Sequence, residues 1–502
     1  MQPPLVPGRF AVNAAGVPPH RLRWVWFVGS ALGVVAAGVA ASGLGVALPT
    51  IVRDLGLTST TQVLWFLGGT QLRWILGATT VTFAVLMPLA AFVGRLLGHV
   101  RVHLVGAVCF AVGSGIGATA GTGTTLVVAR LGQGAGAALM VPQPVGYALA
   151  WLGRVERAVV CAVFGVAFVS GTALGATIGI AVVEHASWRE LFWLALVVAV
   201  VAGLAGVPMI AQRLPIRFDL RALLAAVIAV PAFVAILVPL VAHDVSDWGA
   251  GSVVFAAVGC LFLAGSLALD ASRLGARAGV GGPVTALLVL AASTHLGSLV
   301  SYLQVAGRHS AQTVSHFGVL AVAGALFGAA LAVVVGLRLD ARIATVGGTV
   351  FLAAGVLVSL VLAFGDLGLV AFAADETLTG LGLGLLVSTL VRESDSGLVF
   401  AALPAGAAAG ATLASLRAGS DGADLAGLLR DTADRTLIGS LVLLVAAVVV
   451  ALLLGPRRTP PPMPAPPMPV PMPPMPVPPP STGWAPGLPG DWPPSPAPGP
   501  MR

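Results

Sequence analysis

The sequence predicts an all-α polytopic membrane protein with about fourteen transmembrane helices. Its 502 residues are 57% hydrophobic and only 9% charged, whereas a soluble domain carries roughly 25% charged residues. Apolar runs of span length recur along the chain, and each is long enough to cross a hydrocarbon layer of about 30 Å as a helix. The alternation of apolar and polar residues that marks transmembrane β-strands is absent.

The apolar runs give fourteen predicted spans in chain order. They lie at about 24–48, 74–94, 101–120, 125–150, 157–183, 188–210, 219–242, 250–270, 283–305, 316–337, 343–365, 367–391, 396–416 and 436–455. Arginine supplies all 26 basic residues, and every loop on the side of the termini contains it. The opposite loop at 121–125 has no charge. This positive-inside pattern places both termini in the cytoplasm, with the chain in the cytoplasmic (plasma) membrane.

Composition also narrows the partners of the chain. The net charge of +7 is explained by the arginine-containing loops, so nucleic acid is not expected as a partner. Cys109, Cys161 and Cys260 lie inside apolar runs without metal-ligand spacing and are interpreted as small core residues. No metal or cofactor is expected. The N-terminal tail, 1–23, lacks the apolar segment of a cleaved signal.

Two further segments lie outside the predicted spans. Residues 417–435 place Leu425, Leu428 and Leu429 on one helical face, which fits an interfacial helix or an ordinary solvated loop. Residues 456–502 are rich in proline and favour an extended polyproline II conformation that buries no core. A disordered cytoplasmic tail is expected there, with docking to an unknown protein partner as the alternative.

Several motifs resemble those of one transporter family. RLGQGAGAALMVP (130–142) resembles the fourth-helix motif of the major facilitator superfamily, in its fourteen-span drug:proton antiporter branch. Its matching residues are Arg130, Gln133, Gly134, Gly136, Ala137, Ala138 and Pro142. Four other stretches agree in order and spacing: VALPTIVRDLG (46–56), GHVRVHLVGAVCFAVGS (98–114, with Gly98 and Arg101), GTALGATIGIAVVEHASWRELFW (171–193) and SYLQ (301–304).

The resemblance implies a fold and an activity. The expected fold has two six-helix bundles, at 24–210 and 283–455, with two linker transmembrane helices at 219–272. Spans one, four, nine and twelve would line a central cavity. The implied activity is proton-coupled export of a hydrophobic or amphipathic small molecule by alternating access, as in multidrug resistance, with protons and the lipid bilayer as the other partners.

Small residues in these motifs predict close helix packing. Gly171, Gly175 and Gly179 are spaced by four and therefore share one face of a helix, where a neighbouring helix can approach closely. Gly134 and Gly136 leave similar room beside Arg130. The resemblance adds that the fifth-helix pair helps to seal or rock the transporter.

The chain departs from the family pattern at four positions. The acid that usually precedes the first-helix proline by about nine residues is replaced by Ala40, and the usual acid between spans two and three is Arg95. The fifth-helix motif has Ala176 and Ile180 where proline and glycine are usual. A member of the family that has lost transport and acts as a membrane scaffold or sensor is therefore the main alternative.

Few ionisable residues lie deep in the predicted spans. They are Arg130, His295, Asp375 and Glu376, and such groups normally face a cavity or a partner because burying their charge in lipid is costly. We hypothesise that Arg130 faces the central cavity and is balanced across it by Asp375 or Glu376, which would couple proton binding to transport. A static buried ion pair that fixes helix packing is the alternative.

Other predicted roles are less distinctive. His295 is expected either to relay protons or to bond to a neighbouring helix, and Gln304 in SYLQ is a candidate substrate contact. The glycines at 380–384 favour packing over flexing of their helix. A membrane-embedded transferase would need clustered acids and histidines at a membrane face, or a large extramembrane domain, and neither is visible. The chain is therefore not expected to be an enzyme.

Overall fold

The computed structural model describes residues 20–57, 71–210, 218–242, 250–274, 311–338, 341–364 and 369–393. The helices in these ranges are α1 His20–Ser42, α2 Leu44–Leu55, α3 Gln71–Leu97, α4 His99–Ala118, α5 Gly123–Met140, α6 Gln143–Trp151, α7 Arg154–His185, α8 Arg189–Gly206, α9 Leu220–Ala242, α10 Ala250–Leu274, α11 Ala311–Arg338, α12 Ala341–Phe364 and α13 Leu369–Glu393, with a 3₁₀ turn at Val207–Met209.

The helical membrane fold predicted from the sequence is confirmed. Eight helical segments in the described ranges are long and apolar enough to cross a membrane. Eleven of the fourteen predicted spans coincide with described helices. The predicted spans at 283–305, 396–416 and 436–455 lie outside the described residues, as do the loop at 417–435 and the tail at 456–502.

Two predicted spans are each divided into two helices. The first span breaks at Gly43, between α1 and α2, and the fourth breaks at Val141 and Pro142, between α5 and α6. Proline has no backbone N–H to continue the helical ladder, which explains why the break falls at Pro142. Arg130 and Gln133 therefore lie in α5, the first of the two helices of this span, and not at the centre of one continuous helix.

Glycine permits α7 to cross α1 at very short range. A Cβ atom placed on Gly171 would overlap the carbonyl oxygen of Val35, and one on Gly175 would overlap the hydroxyl of Ser42. From the other side, a Cβ on Gly38 would lie 2.7 Å from the backbone nitrogen of Thr172. The small residues that the sequence places on one face of this helix thus lie at a backbone-to-backbone contact.

The α4–α5 pair packs in the same way. A Cβ on Gly136 would overlap the backbone of Phe110, and one on Gly134 would overlap the carbonyl oxygen of Thr79 on α3. Gly98 stands between α3 and α4 for a different reason, since its φ of +98° lies where glycine is favoured over other residues. Arg101, three residues later, is exposed.

The helix α9 packs on α3, and α10 packs on α9. Ala222 and Ala226 of α9 lie against Phe92, whose ring also contacts Phe218 at a centroid distance of 6.3 Å. The hydroxyl of Ser266 on α10 donates to the carbonyl of Ala225 at 2.6 Å. These two helices correspond to the linker spans predicted at 219–272.

The helices α11, α12 and α13 form a second group, in which α13 lies between α11 and α12. A Cβ on Gly380 or Gly384 would overlap the backbone of α11, and a Cβ on Gly382 would lie 2.8 Å from the carbonyl oxygen of Gly348 on α12. The glycine run at 380–384 therefore serves close packing. α11 also meets α7, because a Cβ on Gly318 would lie 2.7 Å from the carbonyl oxygen of Ala173.

Candidate functional site

The guanidinium of Arg130 is buried among the N-terminal helices, with 1% of the residue exposed. Its Nε donates to the carbonyl oxygen of Ile75 on α3 at 3.0 Å. Its Nη1 donates to the carbonyl oxygen of Ala40 on α1 at 2.6 Å and to Oε1 of Gln133 at 3.0 Å. One side chain thus joins α1, α3 and α5, while its Nη2 has no hydrogen-bond partner within the described part of the chain.

Neighbouring side chains fix the orientation of this group. Nε2 of Gln133 donates to the hydroxyl of Ser114 at 3.0 Å, and that hydroxyl donates to the carbonyl of Phe110 at 2.8 Å. The hydroxyl of Thr79 donates to the backbone carbonyl of Arg130 at 3.0 Å. Because Gln133 uses its amide nitrogen on α4, its amide oxygen remains for Arg130.

Arg130 and Gln133 line a cavity of about 250 Å³, which includes the space at its open mouth. The other lining residues are Val39, Ala40, Gly43, Leu44, Leu191 and Phe192. These described lining residues belong to α1, α2, the break between these helices, α5 and α8. None of the lining residues that the structure describes is acidic.

The ion pair that the sequence suggested between Arg130 and span twelve is not formed in this structure. Across the described ranges, neither Asp375 nor Glu376 is a salt-bridge or hydrogen-bond partner of Arg130. The physical reason is local, since carbonyl oxygens at the crossing of α1 and α3 are already within reach of the guanidinium. Depth along a span, estimated from residue position, does not give the direction in which a side chain points.

The two acids of α13 are fully buried and have different surroundings. Oδ1 of Asp375 accepts a hydrogen bond from the hydroxyl of Thr379 at 3.2 Å and lies beside Gly355 of α12. Glu376 is also 0% exposed, yet in the described structure neither of its carboxyl oxygens has a hydrogen-bond partner. Adjacent helical residues point about 100° apart, which accounts for the separate environments.

His103 is a buried ionisable residue that the sequence-based selection of deep groups omitted. It is 0% exposed, and its Nδ1 lies 3.1 Å from the carbonyl oxygen of Met140. Its Nε2 lies 3.3 Å from both the hydroxyl of Ser30 and the carbonyl oxygen of Ala202. His103 therefore ties α4 to three other helices. Its position as the third residue of a predicted span made it resemble an edge residue.

A polar cluster joins the end of α2, the connection between α4 and α5, and the start of α8. The carboxylate of Asp54 forms an ion pair with Arg189 and accepts a hydrogen bond from Nε1 of Trp188 at 3.1 Å. Nη2 of Arg189 donates to the carbonyl of Ala120 at 3.0 Å, and its Cζ lies 4.2 Å from the centroid of the Trp188 ring. The predicted alternation of spans places these three positions on one membrane side.

We expect this cluster to make stability dependent on pH. The hydrogen bond from Arg189, followed by that from Trp188, lowers the pKa of Asp54 below its usual value. A lowered folded-state pKa gives stability that is present above the unfolded-state pKa of about 3.9 and is lost as the pH falls through the folded-state value. Asp54→Asn should therefore lower the unfolding temperature at pH 7, and this difference should shrink below about pH 4.

Thermal unfolding of both proteins in detergent from pH 7 to pH 2.5 measures this difference. Glu190→Gln, which neutralises an exposed acid in the first turn of α8, is the matched control. A destabilisation by Asp54→Asn that stayed constant over the whole pH range would contradict an electrostatic role for the carboxylate.

The structure brings some predicted site residues together and leaves others apart. Arg130 and Gln133 on α5 line one cavity, Gly134 and Gly136 of the same helix pack against α3 and α4, and Asp375 and Glu376 lie on α13. His295 and Gln304 lie outside the described residues. Among the described residues, no group of three or more histidine, cysteine, aspartate or glutamate side chains could hold a metal ion.

Comparison with known proteins gives consistent matches. A family model described as Major Facilitator Superfamily matches residues 30–391. The probable actinorhodin transporter of Streptomyces coelicolor is 27% identical over 412 residues, which cover 75% of this chain and 67% of that protein. The tetracenomycin C resistance and export protein of Streptomyces glaucescens is 28% identical over 216 residues, covering 41% of this chain and 38% of that protein.

A solved structure has a similar fold. The crystal structure of the human organic anion transporter MFSD10 (TETRAN) aligns with a TM-score of 0.54 at 16% sequence identity. The alignment covers 85% of this chain and 100% of that chain. At this level of identity, the likeness concerns the fold alone.

Proposed function

The chain belongs to the Major Facilitator Superfamily, a family of membrane transporters and not of enzymes, and we propose that it exports a hydrophobic or amphipathic small molecule in exchange for protons. It is a multi-pass protein of the plasma membrane, and we propose that both termini are cytoplasmic. The names of two bacterial relatives, an actinorhodin transporter and a tetracenomycin C export protein, support antibiotic-like organic molecules as cargo.

Glu376 is the observation that carries the proposal of proton coupling. An isolated carboxylate in a buried apolar site has a large desolvation cost, whereas the neutral acid has a far smaller one. Within the described residues no donor or cation contacts either oxygen of Glu376, so none of these residues holds it in the charged form. A group in this position can take up a proton when buried and release it when water or a cationic group approaches.

The contacts between the two groups of helices support alternating access. α7 meets α11 through the small residues Ala173, Gly318 and Ala321. Small residues let these two helices approach closely, and we propose that one group of helices rocks against the other at this contact. Arg130 stiffens the N-terminal group, because it holds α1, α3 and α5 together. We propose that protonation of Glu376 shifts the balance between the two orientations.

Transport in proteoliposomes tests the proposed function. The purified full chain is reconstituted, a pH gradient is imposed with an acidic lumen, and uptake of two permanently charged probes is followed: ethidium and 2-naphthalenesulfonate. At zero membrane potential we expect up to about tenfold accumulation per pH unit for each proton exchanged. Collapse of the pH gradient with nigericin should remove this accumulation.

Two outcomes would contradict the proposal. Uptake that is unchanged by nigericin would exclude proton coupling. Absence of uptake for both probes in vesicles that contain folded protein would instead favour the scaffold or sensor alternative. That alternative is suggested by Ala40 and Arg95, which replace acids usual in the family. Protein-free liposomes provide the baseline for both probes.

A further inference from the structure

We propose that the cavity beside Arg130 binds the anionic head of an amphipathic organic anion. This inference rests on the proposed function and narrows the class of its cargo to molecules with a carboxylate or sulfonate on an apolar body. Glu376 is not among the described residues that line this cavity, so the inference assigns the binding of cargo and the binding of protons to different residues.

The first argument is charge. Arg130 is 1% exposed, and in the described part of the protein no acid is paired with its guanidinium. A buried cation held only by neutral carbonyl and amide oxygens retains a large part of its desolvation cost. A ligand anion entering the cavity would supply the counter-charge that the lining residues do not provide.

The second argument is the hydrogen-bonding capacity that remains. The hydrogen bond from Nε and the two hydrogen bonds from Nη1 fix the plane of the guanidinium. Nη2 has no hydrogen-bond partner in the described structure. A buried donor without a partner costs free energy, and an anionic oxygen would satisfy it with a charge-assisted hydrogen bond. Because the side chain is already held in place, little conformational entropy is lost on binding.

The third argument is the apolar wall of the cavity. Val39, Leu44, Leu191 and Phe192 surround the position of Arg130 and Gln133 and carry no charge. Pockets that bind small organic molecules combine apolar walls with a few polar groups, and these side chains would contact the apolar body next to the anionic head. A free inorganic anion would use the donor and leave the apolar wall uncovered.

Equilibrium binding in detergent without any gradient tests this inference. Tritiated 2-naphthalenesulfonate is titrated against the purified full chain at pH 7.5, with neutral 2-naphthalenesulfonamide and sodium chloride as competitors. We expect the sulfonamide to bind about 10- to 100-fold more weakly than the sulfonate, which is the range for loss of a hydrogen bond to a charged group. Chloride at matched ionic strength, compared with gluconate, should not displace the probe.

Three variants locate the site. Arg130→Gln should weaken sulfonate binding about 10- to 100-fold and abolish the preference over the sulfonamide. Val39→Phe, which fills the cavity while leaving the guanidinium in place, should weaken both ligands and tests the site if Arg130→Gln fails to fold. Arg221→Gln removes an exposed arginine at the start of α9 and should leave binding unchanged.

Several results would overturn the inference. Equal affinity for sulfonate and sulfonamide would exclude a charge-selective site, and undiminished binding in both Arg130→Gln and Val39→Phe would place the anion elsewhere. Displacement by chloride alone would identify a free inorganic anion as the ligand. If ethidium is accumulated in proteoliposomes but 2-naphthalenesulfonate is not bound, the inference fails while the proposed function stands. If 2-naphthalenesulfonate is bound but neither probe is taken up under a pH gradient, the inference stands while the proposed function fails.

Discussion

Replacement of Glu376 by Gln is expected to abolish accumulation driven by a pH gradient while leaving the protein folded. The amide has the shape of the acid but cannot exchange a proton, so the two orientations would no longer respond to pH. Because neither carboxyl oxygen has a hydrogen-bond partner in the described structure, little is lost on folding, and we expect a change of about 1 kcal/mol in the free energy of unfolding. Probe uptake into proteoliposomes and thermal unfolding in detergent measure the two quantities.

Two variants make this expectation specific. Asp375→Asn keeps an oxygen to accept the hydrogen bond from Thr379 and should retain gradient-driven uptake, which would separate the roles of the two adjacent acids. Glu184→Gln removes an exposed acid near the end of α7 and is the matched control. Full gradient-driven uptake by Glu376→Gln would exclude this residue as the proton-binding group.

Replacement of Gly171 by Val is expected to disrupt the crossing of α1 and α7. A Cβ atom at this position overlaps the backbone carbonyl of Val35, which cannot move aside as a flexible side chain could. Overpacking of a well-packed contact costs about 1–3 kcal/mol and sometimes more, and a clash against backbone belongs to the upper part of that range. We therefore expect a loss of about 3 kcal/mol in stability, measured as a lower unfolding temperature and a smaller monodisperse fraction after purification.

Gly265→Val is the matched control for this change. Gly265 also lies within a helix, but a Cβ atom placed on it meets nothing within 4 Å. The substitution therefore has a similar intrinsic cost in helix propensity without the clash. Equal destabilisation by the two variants would show that propensity, and not the α1–α7 contact, determines the loss.

Hydropathy and motif spacing predicted the membrane fold well because both depend on the chain alone. A span must satisfy its backbone hydrogen bonds internally and expose apolar side chains to lipid, so its sequence is recognisable without knowledge of its neighbours. The glycine spacing at 171, 175 and 179 predicted close packing for the same reason. The breaks at Gly43 and Pro142 were not predicted, since both residues also occur inside continuous transmembrane helices.

Only part of the candidate site could be predicted from the sequence. Arg130, Gln133, Asp375 and Glu376 could be selected because polar residues in an apolar span need an explanation. Their partners could not be selected, because Arg130 is held mainly by the backbone carbonyls of Ala40 and Ile75, and every residue type provides a carbonyl. The contact of Asp54 with Arg189 joins residues 135 positions apart and depends on tertiary structure.

The expected ion pair between span four and span twelve is not formed among the described residues, for a related reason. The sequence located three deep groups of complementary charge at similar depths, but similar depth is not contact. In the described structure, Arg130 lies beside a cavity lined by N-terminal helices, whereas Glu376 is buried on α13. This separation is the basis for assigning cargo and protons to different sites.

Proton movement during transport tests most directly whether Glu376 exchanges protons for cargo. Proteoliposomes with an entrapped pH indicator are loaded with 2-naphthalenesulfonate or ethidium and diluted, so that the outward cargo gradient drives the reverse flow of protons. The wild-type chain is expected to acidify the lumen as the transported probe leaves, and Glu376→Gln is expected to leave the luminal pH unchanged. Acidification by the Glu376→Gln variant at the wild-type rate would contradict the proposed coupling.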